Sequence, residues 1–274
     1  MGLRYISRPF LHLARAPMEP NVTYRDQSPL AVITINRPEK HNAVSLATLD
    51  ELHTAVNQAI VDDSIRVICI TGAGGRAFAS GSDLNEVKHR DLGKALEPIV
   101  QGLADQLEKN PKPTIAAIDG ICMGGGLEIA LGCDLRVATP RSQFATPEGK
   151  IGIIPGGGAT ARLPRIVGRG WGMEMLLMGE AIDADHALRI GLVTRLVEPD
   201  ALMAEVTKMA DHLASFAPFV PQFMKAMVHH GMEGSLATGL ALEKFAHGAL
   251  MQTEDKKEGI SAFLEKRPPN WTGK

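Results

Sequence analysis

Between residues 20 and 200 the chain alternates short β-branched apolar runs with longer stretches of helical periodicity. Residues 30–36, 67–71 and 114–118 are rich in Ile, Val, Thr and Ala and are bounded by Asn, Pro and Gly, so each predicts a strand. Between the first two, Leu46, Leu49, Leu52, Val56 and Ile60 recur at helical spacing behind Ser45, which predicts a helix over 45–61 with a serine N-cap. Further strands are predicted over 135–138 and 192–197, the second preceded by a helix over 184–190. Such alternation implies α/β architecture with right-handed crossovers, and on pattern alone it suggests a Rossmann-like sheet. Beyond Asp200 the strand pattern stops. Residues 201–216, 218–230, 235–251 and 255–266 read as helices, with Pro218, Gly231 and Gly234 as breaks.

A chain of 274 residues is long enough for a substantial core, and 45% hydrophobic with 22% charged residues is an ordinary globular balance. A net charge of −2 gives no reason to expect nucleic acid or an anionic membrane as a partner. No uninterrupted apolar run reaches transmembrane length, so no membrane span is expected. Cys69, Cys122 and Cys133 fall in or beside apolar runs and form no C-x-x-C pair; they read as small buried hydrophobes in a reducing compartment. In residues 1–20, Arg4, Arg8 and Arg15 alternate with apolar residues and no acid precedes Glu19. The stretch is short and has only Ser7 for hydroxyls, so an N-terminal extension of a cytoplasmic protein is favoured over a transit peptide leading to the mitochondrial matrix.

The chemistry concentrates in residues 115–155. Gly124, Gly125 and Gly126 follow the strand-like run and open an apolar helical segment that begins with Leu127 and Glu128. A strand, a glycine turn and a helix start aim backbone N–H groups into the space above the turn, where the helix dipole favours negative charge. Glu148 lies twenty residues beyond Glu128, too far to share a helix face, so only the fold could bring them together. Donors for a developing oxyanion and two carboxylates for proton transfer would make a catalytic site. Alone, Glu128 would read as an acid stabilising a helix start and Glu148 as a solvated loop acid.

Five motifs in order carry a family resemblance: A-V-I-T-I-N-R-P-E-K-H-N-A-V at 31–44, G-R-A-F-A-S-G-S-D-L at 75–84, G-G-G-L-E with C-D at 124–134, P-E-G-K-I-G-I-I-P-G-G-G-A-T at 147–160, and E-G-I-S-A-F-L-E-K-R-P at 258–268. From about Asn21 to the C-terminus the chain resembles the crotonase superfamily, and within it the enoyl-CoA hydratases. The resemblance implies an α/β fold with a right-handed ββα spiral core over residues 21–199, in place of a Rossmann sheet. It also implies a C-terminal helical oligomerisation region over 200–274 that packs trimers, often paired as dimers of trimers. It implies that the N–H groups of Gly125 and Ser82 hold the thioester oxygen of an acyl-CoA, and that Glu128 and Glu148 together hold and split water. Serine stands at 82 where the family usually has alanine, which a backbone donor tolerates. Retention of both acids favours hydration; enoyl-CoA isomerisation, another acyl-CoA lyase or racemase reaction, and a non-catalytic acyl-CoA-binding protein stay open.

For the CoA moiety the resemblance implies contacts around Ser80, Ser82, Asp83, Leu84, Gly124 and Gly125, and along Glu39, Lys40 and His41. Glu39 stands where related hydratases often carry lysine, so Lys40 is the candidate phosphate contact. Phe263 and Lys266 match residues that reach a neighbouring subunit's CoA. No cofactor beyond the substrate's CoA is expected. Nine scattered histidines with no H-E-x-x-H argue against a metal site, and no G-x-S-x-G elbow supports a serine hydrolase. Residues 85–96 and the helix after Trp171 are expected to shape the acyl pocket.

Overall fold

The computed structural model describes residues 20–274. The expected extension over 1–20 therefore lies, but for Pro20, outside the described residues. The chain builds two sheets in step. β1 (Val22–Gln27) pairs antiparallel with β2 (Leu30–Ile35), and α1 (Leu46–Val61) leads to β3 (Val67–Gly72). From there each turn lays one strand in a large sheet and the next in a small one: β3 then β4 (Ala77–Ala79), β5 (Thr114–Ile118) then β6 (Ile121–Met123), β7 (Leu135–Ala138) then β8 (Gln143–Ala145). The connections are α2 (Leu84–Val87), α3 (Leu92–Ala95) and α4 (Ile99–Lys109) after β4, and α5 (Gly125–Gly132) after β6. After β8 come α6 (Ala159–Met178), kinked at Gly168, then β9 (Ile182–Asp183), α7 (Ala184–Arg189) and β10 (Arg195–Leu196). The large sheet runs β1-β2-β3-β5-β7-β10 and the small one β4-β6-β8-β9. This is the ββα spiral, not a Rossmann sheet.

The large sheet is covered on both faces, which is why its strands read as near-continuous apolar runs. Side chains alternate across it: Ile33, Ile68, Ile70 and Ile118 enter a core shared with α1, α4, α5 and the small sheet. Leu30, Val32, Val67, Cys69 and Ile115 face the other way, onto Leu202, Val206 and Met209 of the tail. All three cysteines are buried and unpaired. Ser45 caps α1 as expected, accepting from the Thr48 N–H.

The tail forms α8 (Leu202–Ala214), α9 (Phe219–Glu233), α10 (Leu236–Leu250) and α11 (Glu254–Glu265). Gly231 does not break a helix. It lies within α9 at a close approach to α10, where a Cβ built on Gly239 would stand 3.3 Å from the Gly231 Cα. Lys225 fixes α9 to the spiral: its Nζ lies 2.8 Å from Asp134 Oδ2 and donates to the carbonyls of Leu107 and Lys112. The strand expected over 192–197 shortens to β10, because Leu192 and Val193 turn into the core ahead of it. Among the described residues no helix is long and apolar enough to cross a membrane, and no cluster of His, Cys, Asp and Glu could hold a metal ion.

Candidate active site

β4, β6 and β8 are adjacent parallel strands, so the residues that follow their C-terminal ends become neighbours. That one relationship gathers Ser82 after β4, Gly125 after β6 and Glu148 after β8. Ser82 sits in a short parallel bridge with Val44. The Asp83 N–H donates to the Val44 carbonyl and the Val44 N–H to the Gly81 carbonyl, so the N–H of Ser82 between them points the opposite way. Gly124 turns the chain from β6 into α5 with φ +51°, a left-handed value that disfavours a side chain, and its N–H donates to the Ala145 carbonyl. Gly125 is then the first helical residue, with no carbonyl a turn earlier to accept its N–H. Neither the Ser82 nor the Gly125 N–H has an acceptor among the described residues. They are close: a Cβ on Gly125 would lie 3.3 Å from the Ser82 nitrogen, and one on Gly81 would lie 3.7 Å from the Gly125 nitrogen.

Glu128, one turn into α5, is 3% exposed. Its Oε1 accepts the N–H groups of Gly157 at 2.6 Å and Ala159 at 3.1 Å, from the glycine run that opens α6. Burial pushes its carboxyl above the usual range, while these donors and the nearby Arg162 guanidinium favour the ionised form. Arg162 also donates to the Gly157 carbonyl at 3.2 Å and is held by Asp105 and Glu108 of α4. Glu128 is therefore an oriented carboxyl group whose supports are themselves fixed.

Glu148 is not a solvated loop acid. It lies in a short 3-10 turn, Pro147–Ile151, and is 9% exposed. Burial pushes it up to about 7, and the Glu128 charge adds to the shift. Its Oε2 is buried and has no hydrogen-bond partner. A Cβ on Gly124 would stand 3.2 Å from Glu148 Oε1, so this acid lies directly against the glycine turn.

Both acids and both free N–H groups line one cavity of about 1060 Å³. Lys40, Ser80, Asp83, Leu84 and Gly124 line it too. Asp83 has structural work as well, capping α2 and lying 3.5 Å from Arg37. Glu39 and His41 are exposed and do not line the cavity. His41 instead adopts a left-handed turn conformation, and its carbonyl accepts the Ser80 N–H. Phe263 is exposed on α11 and Lys266 ends that helix; neither lines the cavity of its own chain. The cavity is also lined by residues of the 85–96 segment, by Ile99 and Val100 of α4, and by Ile151, Ile153 and Ile154. No residue of the helix after Trp171 lines the cavity, whereas the loop after Glu148 does.

The backbone donors at 157 and 159, Arg162 and the α4 wall were not apparent from the sequence. The glycine run at 156–158 was the available signal, since a third glycine turn has a function to explain.

The profile of the enoyl-CoA hydratase/isomerase family matches residues 25–274, and the chain belongs to that family. It is 38% identical over 249 residues to a short-chain-enoyl-CoA hydratase of Clostridium acetobutylicum, covering 90% of this chain and 95% of the relative. It is 39% identical over 248 residues to a 2,3-dehydroadipyl-CoA hydratase of Escherichia coli K12, covering 90% and 97%. Its fold superimposes on the crystal structure of an enoyl-CoA hydratase from Bacillus anthracis with a TM-score of 0.89, at 35% identity, covering 93% of this chain and all of the other.

Proposed function

We propose that the protein is an enoyl-CoA hydratase that adds water across the 2,3 double bond of a trans-2-enoyl-CoA to give a 3-hydroxyacyl-CoA. One observation carries the assignment of roles: two buried glutamates face the same cavity in unlike environments. Glu128 accepts two N–H donors that favour its ionised form against the effect of burial, whereas Glu148 has an unpartnered Oε2 and is pushed up to about 7. Two acids in such unlike hydrogen-bonding environments, one able to take a proton and one able to give it, are the pair that a hydration needs.

In the step itself a water oxygen bonds to Cβ as Glu128 takes one of its protons. The electron pair of the double bond moves toward the thioester, and Cα receives the Glu148 proton. Between these events negative charge sits on the thioester oxygen, within reach of the Ser82 and Gly125 N–H groups; each such donor is worth about 3 kcal/mol in a dry site. No cofactor beyond the CoA of the substrate takes part. Lys40, with backbone groups around Ser80 and Leu84, lies on the wall available to the CoA moiety.

We infer further that the tail packs against other copies of the chain, as a trimer or a dimer of trimers. Met224, Val228 and Met232 form an exposed i, i+4, i+8 stripe on α9, and Leu236, Leu240 and Phe245 are exposed on α10. An apolar surface of that extent is uncommon on a monomer. Phe263 and Lys266 would then meet a neighbour's CoA.

Mixing the purified protein with crotonyl-CoA tests the reading. Loss of the conjugated enoyl-thioester absorbance with a mass gain of one water is expected. A shifted alkene of unchanged mass would identify an isomerase instead, and binding with no proton exchange at Cα would identify a binding protein.

A further inference from the structure

Four buried side-chain polar atoms among the described residues lack a hydrogen-bond partner: Tyr24 OH, Glu148 Oε2, and Nε and Nη2 of Arg90. Glu148 belongs to the reaction. Tyr24 lies on the edge strand β1 and does not line the cavity. Arg90 does line it, at the link between α2 and α3, together with the apolar residues Val87, Ala95, Ile99 and Val100. The other charged groups lining the cavity are Lys40, Asp83, Glu97, Glu128, Glu148 and Lys150, and none forms an ion pair with Arg90.

A guanidinium never loses its charge, and burying part of it without an acceptor is costly. The cost falls on a cavity wall with apolar neighbours, and an apolar acyl chain lying there would leave it unrelieved. The identity of the two free nitrogens narrows what would relieve it. Nε and Nη2 form one edge of the guanidinium, and that edge matches the two oxygens of a carboxylate. The same protein shows the match elsewhere: Arg141 grips Asp119 with Nε to Oδ1 at 2.7 Å and Nη2 to Oδ2 at 2.6 Å.

We propose that Arg90 is a specificity residue that receives a carboxylate at the far end of the acyl chain, so that the preferred substrate is a 2-enoyl-CoA whose acyl group ends in a carboxylate. The proposal rests on the hydratase reading and names the substrate class of that same cavity. The Arg90 edge is covered, so receiving the carboxylate requires the side chain to turn toward the chamber. The chemistry of hydration is unchanged: water adds across the double bond and the terminal carboxylate takes no part beyond its ion pair.

Two paired measurements test it. The first compares kcat/KM for six- and eight-carbon 2-enoyl-CoA substrates ending in a carboxylate with their methyl-terminated counterparts, in the wild type and in Arg90→Met. The wild type should favour the carboxylated member by at least about 10-fold, and the ratio should collapse by about 100-fold in R90M, the scale of a lost desolvated charge pair. The second uses saturated thioesters that cannot react. The carboxylated one should raise the melting temperature of the wild type more than the methyl-terminated one, and R90M should abolish the difference. R90M itself should melt no lower than the wild type, because it removes an unpaired buried charge; if it does not fold, Arg90→Gln replaces it.

A wild type that hydrates methyl-terminated substrates without preferring carboxylated ones overturns the inference and leaves the hydratase reading intact. Equal losses on both substrates in R90M also overturn it, since Arg90 would then serve the CoA or the fold. A wild type that hydrates neither class, yet shows the R90-dependent thermal shift, overturns the hydratase reading while supporting carboxylate recognition.

Discussion

The Gly157 N–H donates to Glu128 Oε1 at 2.6 Å, and a Cβ on Gly157 would stand 2.5 Å from Glu128 Oε2. The residue that holds the carboxylate is thus also the one that must leave room for it. Gly157→Ala is expected to fold and bind substrate but to lose about 100-fold in kcat, since a displacement of about 1 Å at a reacting group costs on that order. Single-turnover kinetics separates this from weakened binding; a variant with wild-type kcat would show that the Gly157 contact does not set the Glu128 position.

Glu148→Gln should retain acyl-CoA binding and lose about 10³-fold or more in turnover, because Cα is left without its proton donor. Calorimetric binding of a non-reactive saturated acyl-CoA, alongside the hydration assay, checks both halves. Intact turnover would remove Glu148 from the mechanism.

The same residue links stability to pH. Glu148 titrates near 7 when folded against an ordinary value of 4.5. The folded chain therefore holds a proton that the unfolded chain releases across that window, so the stabilising contribution is present below it and is lost as pH rises through it. Relative to Glu148→Gln, the wild type should lose on the order of 2 kcal/mol between pH 4.5 and 8. Denaturant melts of the two proteins across this range measure the difference, and a flat difference would mean the folded pKa is not raised. Activity should follow: kcat/KM should fall on the alkaline side of about pH 7 as Glu148 loses its proton.

Arg162→Met should act on Glu128 from a distance. It removes the guanidinium that donates to the Gly157 carbonyl and favours the ionised form of Glu128, and it leaves Asp105 with only Lys109 and Glu108 with only His229. The acid limb of the pH–rate profile should move to higher pH, with kcat reduced more than KM is raised, and stability should fall by about 2 kcal/mol. Arg162→Lys should restore part of the pH limb, because it returns the charge without the fork. A variant that is merely less stable, with an unmoved limb, would reduce Arg162 to a structural role.

Val228→Glu places a charge in the middle of the exposed α9 stripe. If copies of the chain pack there, sedimentation should show smaller particles than the wild type with little change in secondary structure. An unchanged assembly would put the interface elsewhere.

Strands β2, β3, β5 and β7 and the four tail helices were legible because their periods persist over enough residues. The strands β4, β6 and β8 were not, since three residues each cannot show a period. β1 also escaped: its V-T-Y-R-D-Q mixes polar residues into an edge strand. The family resemblance supplied what periodicity could not, including the spiral itself and the pairing of Glu128 with Glu148. It carried less for Glu39 and His41, whose exposed turn faces away from the cavity.

By itself the sequence determined the local chemistry. Glycines at 124–126 dictate a turn with free N–H groups, β-branched runs dictate strands, and two acids supply proton-transfer groups. Only the tertiary structure decided what these do together. Placing β4, β6 and β8 side by side set Ser82, Gly125 and Glu148 around one cavity. Folding the glycine run at 156–158 over α5 gave one buried glutamate two donors, and burying the other with an unpartnered Oε2 pushed it up to about 7. Protonation state depends on dielectric, neighbouring charge and hydrogen bonds, all of them properties of the surroundings, and two identical side chains acquire different roles only once those surroundings exist.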